Sequence, residues 1–228
     1  MIILALETAT EACSAALYVD GDVQLKYQVE PRKHSELILT MLEQLLSESG
    51  LRLTQLDALA FANGPGAFTG IRIATGVIQG VAYGADLPVI TVSTLATLAQ
   101  RAFRKHGHRQ LMTAFDARMN EVYWGCYRIS EDDLAVTVIG DQISVPEQVQ
   151  LPEAGDWYGV GTGWGSYASQ LGERCGDLVT GYRPDLYCSA QDVAQLAQAV
   201  PRELWVPADQ ALPVYLRDQV AKKAKPTA

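Results

Sequence analysis

The sequence is poor in the groups that most often carry chemistry. It has three histidines, and the residue four positions beyond His34 is Ile38, so no helical pair of imidazoles is available to grip a metal ion. His106 and His108 flank Gly107 in a polar stretch, where imidazoles are commonly solvated rather than liganded. The four cysteines, Cys13, Cys126, Cys175 and Cys188, are far apart and form no C-x-x-C, so neither a zinc site nor a disulfide framework is suggested. A G-x-S-x-G elbow is missing, and no serine or cysteine has a context that activates a nucleophile. Basic residues are outnumbered, 18 against 26 acidic ones, and the net charge of -8 argues against this chain alone gripping a phosphate backbone. No apolar run approaches the ~20 residues of a membrane span, and the apolar opening Met1–Leu6 is too short for a signal-peptide core. A cytoplasmic home with reduced, packed thiols is expected.

What is present suits a folded core: 228 residues, 48% hydrophobic, enough for one large domain or two small ones. Met1–Leu6 reads as a buried strand. Alternating Ala15, Leu17 and Val19, then Val23, Leu25, Tyr27 and Val29, around Asp20-Gly21, predict a hairpin. A helix over about 35–49, a strand into a glycine turn, a helix over 71–84, a strand at 88–92 and a helix over 94–103 follow. These predict an α/β fold with a mixed sheet and crossover helices. The polar run Arg104–Arg109 is the expected boundary, giving residues 1–107 and 108–212 as two lobes. Beyond it the pattern restarts: strands at 111–115 and 122–129, a turn at 131–133 and a further strand. Trp157–Val160 then leads into a second glycine turn, 161–165, and a helix over 166–171.

The densest signal is Gly64-Pro65-Gly66-Ala67-Phe68-Thr69-Gly70. Glycines there allow positive φ and close approach of another group, and a strand, glycine turn and helix start can present amides to an anion. A tight strand-to-helix turn explains the same residues equally well. No lysine follows Gly70, which excludes a Walker loop, and the spacing misses the dinucleotide fingerprint.

Two helices carry more apolar surface than one face requires. Leu37, Ile38, Leu39, Met41, Leu42, Leu45 and Leu46 cover roughly 200° of the first, about twice the stripe that packs on a sheet. In the second, Arg72 is the sole charge between Ala67 and Ala85, and Gly76, Gly80 and Gly84 recur on one face. Each such glycine costs roughly 1 kcal/mol relative to alanine, which is sensible where another backbone comes close. Either the chain's own sheet and helices cover these surfaces or a partner does. We expect a partner surface of Leu37, Ile38, Met41, Leu42, Leu45, Arg72, Gly76 and Gly80, used for a homodimer in isolation and for a related partner in the cell.

The other polar cluster is Asp116-Ala117-Arg118-Met119-Asn120-Glu121-Val122-Tyr123, at a strand end. Its acids suit a general base or a water-bridged cation, and Asp116 with Arg118 equally suits a turn-stabilising pair. Glu7 ends the first strand, where phosphate-handling folds often place a carboxylate. A rival reading, a phosphotransferase or peptidase acting alone, would use Glu7, Asp116 and the glycine loops.

Leu4 to Thr10, Arg32 to Ser35, Gly64 to Arg72, Val92 to Leu95, Asp116 to Tyr123 and Pro213 to Arg217 together resemble the bacterial TsaB (YeaZ) family. The resemblance runs nearly end to end. It implies the actin/Hsp70/sugar-kinase (ASKHA) fold, two ribonuclease-H-like lobes with mixed sheets, with residues 213–228 returning to the first lobe. It also implies a non-catalytic role in making threonylcarbamoyladenosine at adenosine 37 of tRNA, beside the transferase TsaD and the ATPase TsaE. TsaD carries an H-x-x-x-H metal pair where this chain has His34 alone, and Glu7-Thr8 stands where relatives commonly have Asp-Thr. No metal and no tightly bound cofactor are therefore expected. The Gly64, Gly66, Thr69 and Gly70 loop, with Asp116 and Arg118, remains a candidate for shaping the interface, or a pocket for ATP or ADP formed when partners meet. Transfer RNA would be held through the complex, and no membrane is involved.

Overall fold

The computed structural model describes residues 1–217, and its two five-stranded sheets repeat one plan. In the first sheet, β1 (Ile2–Glu7), β2 (Ala12–Val19) and β3 (Asp22–Val29) form an antiparallel meander, and β4 (Ala58–Ala62) and β5 (Val89–Val92) add in parallel, in the order β3-β2-β1-β4-β5. In the second, β6 (Gln110–Arg118), β7 (Glu121–Ile129) and β8 (Ala135–Ser144) form the meander, with β9 (Trp157–Val160) and β10 (Val179–Arg183) parallel beyond β6. The repeat is one of topology and escapes sequence comparison.

The helices are α1 (His34–Ser49), α2 (Phe68–Ala85), α3 (Thr94–His106), α4 (Thr162–Ser166), α5 (Ala168–Cys175) and α6 (Ala190–Ala197). Their ends follow local chemistry. The Ser93 hydroxyl accepts the Ala96 amide to cap α3, and Gly50 and Gly107 take left-handed φ of 67° and 77° to stop α1 and α3.

Strand alternation sorts the core into layers. Leu4, Leu6, Leu17, Leu59 and Phe61 face α1 and α2, while Ile3, Ala5, Ala58, Ala60 and Ala62 face the small residues Ala190, Ala194 and Ala197 of α6. In the second sheet, Leu111, Phe115 and Tyr127 face α3, and Met112, Trp124 and Cys126 face Trp164 of α4 and Leu171 of α5. From outside to outside the order is α1 and α2, first sheet, α6 and α3, second sheet, α4 and α5.

Four sequence expectations need correction. The return to the first lobe starts at α6 rather than at residue 213, and α3, expected in the first lobe, packs on the second sheet. The two central helices therefore cross the expected boundary, because each presents an apolar face to the sheet opposite its own strand. Residues 218–228 of the expected return lie outside the described residues. Gly161–Gly165, expected as a turn, is mostly the short helix α4, and the chain adds β10 and α6 beyond the expected elements.

The fourth correction concerns α1. Ile38, Met41, Leu42 and Leu45 are buried inside the chain itself, in the core beneath the first sheet, with Leu37 half-buried at its edge. The wide apolar arc is explained by two neighbours rather than one: α1 lies against β2 and β3 and also against α2. These four residues are not a free partner surface. Leu39, 54% exposed, is what remains of the excess.

Candidate functional site

A cleft of about 600 Å³ opens between the lobes where the equivalent ends of the two sheets meet. The β1–β2 turn contributes Ala9, Thr10 and Glu11, the start of α2 contributes Ala67, Phe68 and Ile71, and the β6–β7 turn contributes Asp116, Arg118 and Met119. Thr162 and Ser166 of α4 complete the far wall, and Val214, Tyr215 and Arg217 cross the mouth.

The glycine loop is shaped by its own chain. A Cβ on Gly66 would lie 2.8 Å from the Ala9 carbonyl oxygen, one on Gly70 would lie 2.0 Å from that of Thr8, and one on Gly64 (φ 122°) would lie 2.6 Å from that of Val214. The Gly64 amide donates to the Thr94 hydroxyl at 3.1 Å and the Ala67 amide to the Ala9 carbonyl at 3.0 Å. The Thr8 hydroxyl donates to the Gly70 carbonyl at 2.8 Å. The group that approaches Gly66 and Gly70 is the β1–β2 turn, and the group that approaches Gly64 is the Val214 carbonyl. Thr69 is exposed and lines a smaller pocket of about 330 Å³ with Thr8, Arg32, His34 and Ser35.

The two carboxylates with catalytic promise are both engaged internally. Asp116 accepts from the Arg118 amide at 2.8 Å, the Ser166 hydroxyl at 3.1 Å and the Tyr167 hydroxyl at 3.4 Å, and its own amide donates to Thr162 Oγ1. It thereby secures a turn in which Arg118, Met119 and Asn120 all have positive φ, 62°, 57° and 61°, a costly run for residues other than glycine. Glu7 is fully buried, accepts the Ala9 amide at 2.6 Å and the Thr10 hydroxyl at 3.4 Å, and does not line the cleft. Burial pushes its carboxyl up to about 7, against the pull of those hydrogen bonds and of Arg101.

The histidines are likewise accounted for. His34 is buried with Nε2 2.9 Å from the Thr10 carbonyl oxygen. His108 stacks on Tyr158 at 3.7 Å, and both His108 and His106 are shifted below the usual imidazole range, first by burial and then by neighbouring positive charge. Among the described residues no group of three histidine, cysteine or acidic side chains is placed to hold a metal ion, and no helix is long and apolar enough to cross a membrane.

The expected glycine row of α2 faces outward. Gly76, Gly80 and Gly84 have nothing within 4 Å of where a Cβ would stand, and Phe68, Arg72 and Tyr83 (85% exposed) share that side of the helix. The guanidinium of Arg72 lies 4.0 Å from the Phe68 ring centroid, and its Nε donates to the Tyr215 hydroxyl at 3.0 Å. Tyr215 and Arg217 were not singled out individually as site residues, although the run Pro213–Arg217 supplied the signal.

Twin mixed sheets with a central helical layer and an interlobe cleft define a two-lobed α/β protein of the actin/Hsp70/sugar-kinase class. A family model described as TsaD, tRNA N6-adenosine threonylcarbamoyltransferase, matches residues 28–157. The chain is 44% identical over 232 residues to the tRNA threonylcarbamoyladenosine biosynthesis protein TsaB of Escherichia coli, covering 99% of both chains, and 38% identical to that of Haemophilus influenzae, covering 99% of this chain and 98% of that one. The solved structure of YeaZ from Pseudomonas aeruginosa superposes with a TM-score of 0.87 at 46% identity, over 94% of this chain and 99% of that one. The chain belongs to the TsaB (YeaZ) family.

Proposed function

We propose that this chain is the non-catalytic subunit of the assembly that makes threonylcarbamoyladenosine in tRNA, and that the outer face of α2 docks the TsaD-type transferase. The exposed glycine row carries the reading. Three helix-interior glycines cost the isolated chain helical stability and contact nothing in it, so their benefit lies in a second backbone approaching closely. The family relationship supplies the reaction, since close relatives are named for threonylcarbamoyladenosine biosynthesis in tRNA.

The chain would act by binding one conformation of the transferase better than others, which shifts its population toward the active form. The internal hydrogen bonds of Glu7 and Asp116 favour this over independent hydrolysis or phosphotransfer. The same α2 face would form the homodimer when the transferase is absent. A TsaE-type ATPase joins the assembly, ATP or ADP is held where partners meet, tRNA is contacted through the complex, and the assembly works in the cytoplasm.

Reconstitution tests the proposal. The purified chain alone should be silent toward tRNA, ATP and peptide, and its addition to a TsaD-type transferase with the ATPase should raise threonylcarbamoyladenosine formation. Turnover by the isolated chain that vanishes in Asp116→Ala would contradict it.

A further inference from the structure

Residues Ala211–Arg217 form a strap that touches both lobes and the α2 face at once. On the first lobe, the Val214 amide donates to the Asn63 carbonyl at 2.8 Å, Asn63 Nδ2 donates to the Leu212 carbonyl at 3.3 Å, and Gln79 Nε2 on α2 donates to the Ala211 carbonyl at 3.1 Å. Tyr215 then meets Arg72 through its hydroxyl and Phe68 through its ring, centroids 5.8 Å apart. Two residues later, Arg217 pairs with the Glu121 carboxylate and donates to the Arg118 carbonyl at 3.3 Å, both in the second lobe.

The far end of the strap lands on the turn whose backbone is most costly. Arg118, Met119 and Asn120 are the three consecutive residues with positive φ, and Asp116 and Arg217 hold that turn from either side. The near end lands on Arg72, beside the exposed glycines. A short chain of polar contacts thus runs from the outer face of α2, across the mouth of the cleft, to its opposite wall.

We propose that this strap transmits docking on α2 to the interlobe cleft. The inference rests on the reading of α2 as the partner face. A partner that engages Arg72 competes with the Tyr215 hydroxyl for its donors. Displacing Tyr215 moves Arg217, only two residues along, and loosens the Arg118–Glu121 turn. Linkage makes the effect reciprocal: a ligand that orders that turn alters partner affinity by the same factor.

Amide hydrogen exchange of the full chain, free and mixed with a TsaD-type transferase, tests this. In the wild type, docking should slow exchange along α2 and change exchange in Arg118–Tyr123 by about fivefold or more, the lower end of ordinary coupling between sites. In Arg217→Ala, α2 should still be protected while the response of the turn is lost. Tyr215→Phe, which keeps the ring but removes the acceptor for Arg72, should weaken the response and guards against a folding defect in the first variant. An undiminished response in Arg217→Ala, or a silent turn in a wild-type chain whose α2 is protected, would overturn the strap's role. Absence of protection on α2 would instead overturn the partner-face reading, and the strap's role with it.

Discussion

Arg104 on α3 and Asp192 on α6 form a two-bond ion pair, Nε to Oδ1 at 2.7 Å and Nη2 to Oδ2 at 2.9 Å, with Asp192 wholly enclosed. It joins the two central helices, one packed on each sheet. Burial raises the Asp192 carboxyl above its ordinary value, and Arg104 draws it back toward the charged form. Arg104→Ala leaves that carboxylate unpaired, and about 3 kcal/mol of stability should be lost near neutral pH. The deficit should shrink in acid, where Asp192 takes up a proton. Urea unfolding of both proteins at two pH values checks this.

Glu7 gives a second pH signature. Its folded-state carboxyl sits at about 7 against an ordinary 4.5, so the native chain holds the proton more tightly. This contribution to stability is fully present below pH 4.5 and is lost as pH rises through 7, by at most about 3 kcal/mol. Glu7→Gln should remove the slope in that window and leave the protein more stable than wild type at pH 8. Thermal unfolding across pH 4 to 8 is the measurement, and an unaltered slope would count against the assignment.

The four cysteines should resist thiol reagents in the native state. All are buried, and burial pushes Cys13 and Cys126 up to about 12, Cys175 up to about 11 and Cys188 well above its ordinary value. Labelling at pH 8 should follow global unfolding, with rates that rise together in denaturant. Rapid modification of any one of them in buffer would contradict the buried assignment.

Glycines of the same helix should respond in opposite ways to alanine. Gly70→Ala places a methyl 2.0 Å from the Thr8 carbonyl oxygen and should destabilise by about 3 kcal/mol or prevent folding, as backbone clashes in a packed turn do. Gly76→Ala meets nothing within the chain and, at concentrations low enough to keep it monomeric, should stabilise it by roughly 0.5–1 kcal/mol. Melting temperatures of the two purified variants decide the matter.

Much of this was legible in the sequence for physical reasons. Alternation at Ala15, Leu17 and Val19, the Asp20-Gly21 turn and the glycine stop at Gly50 depend on local geometry, and they appear where the residues predict. Burial on α1 was not legible, because a wheel counts apolar width and cannot tell whether one neighbour covers it or two. The alanine-rich α6 escaped notice since its small residues matter only against the equally small Ala5, Ala58 and Ala60 of a distant strand layer. At the site, the loop glycines and Asp116 stood out as unusual residues, but their partners, Ala9, Thr8, Ser166 and Tyr167, are set by tertiary approach.

The central claim is that the glycine row of α2 exists for a second polypeptide. Gly80→Trp, placed where a Cβ has open space, tests it most directly, with light scattering of the variant mixed with a TsaD-type transferase and a parallel thermal melt. The account predicts a folded chain, shown by a cooperative melt, that no longer changes mass on mixing. Undiminished complex formation by a folded Gly80→Trp chain would contradict it.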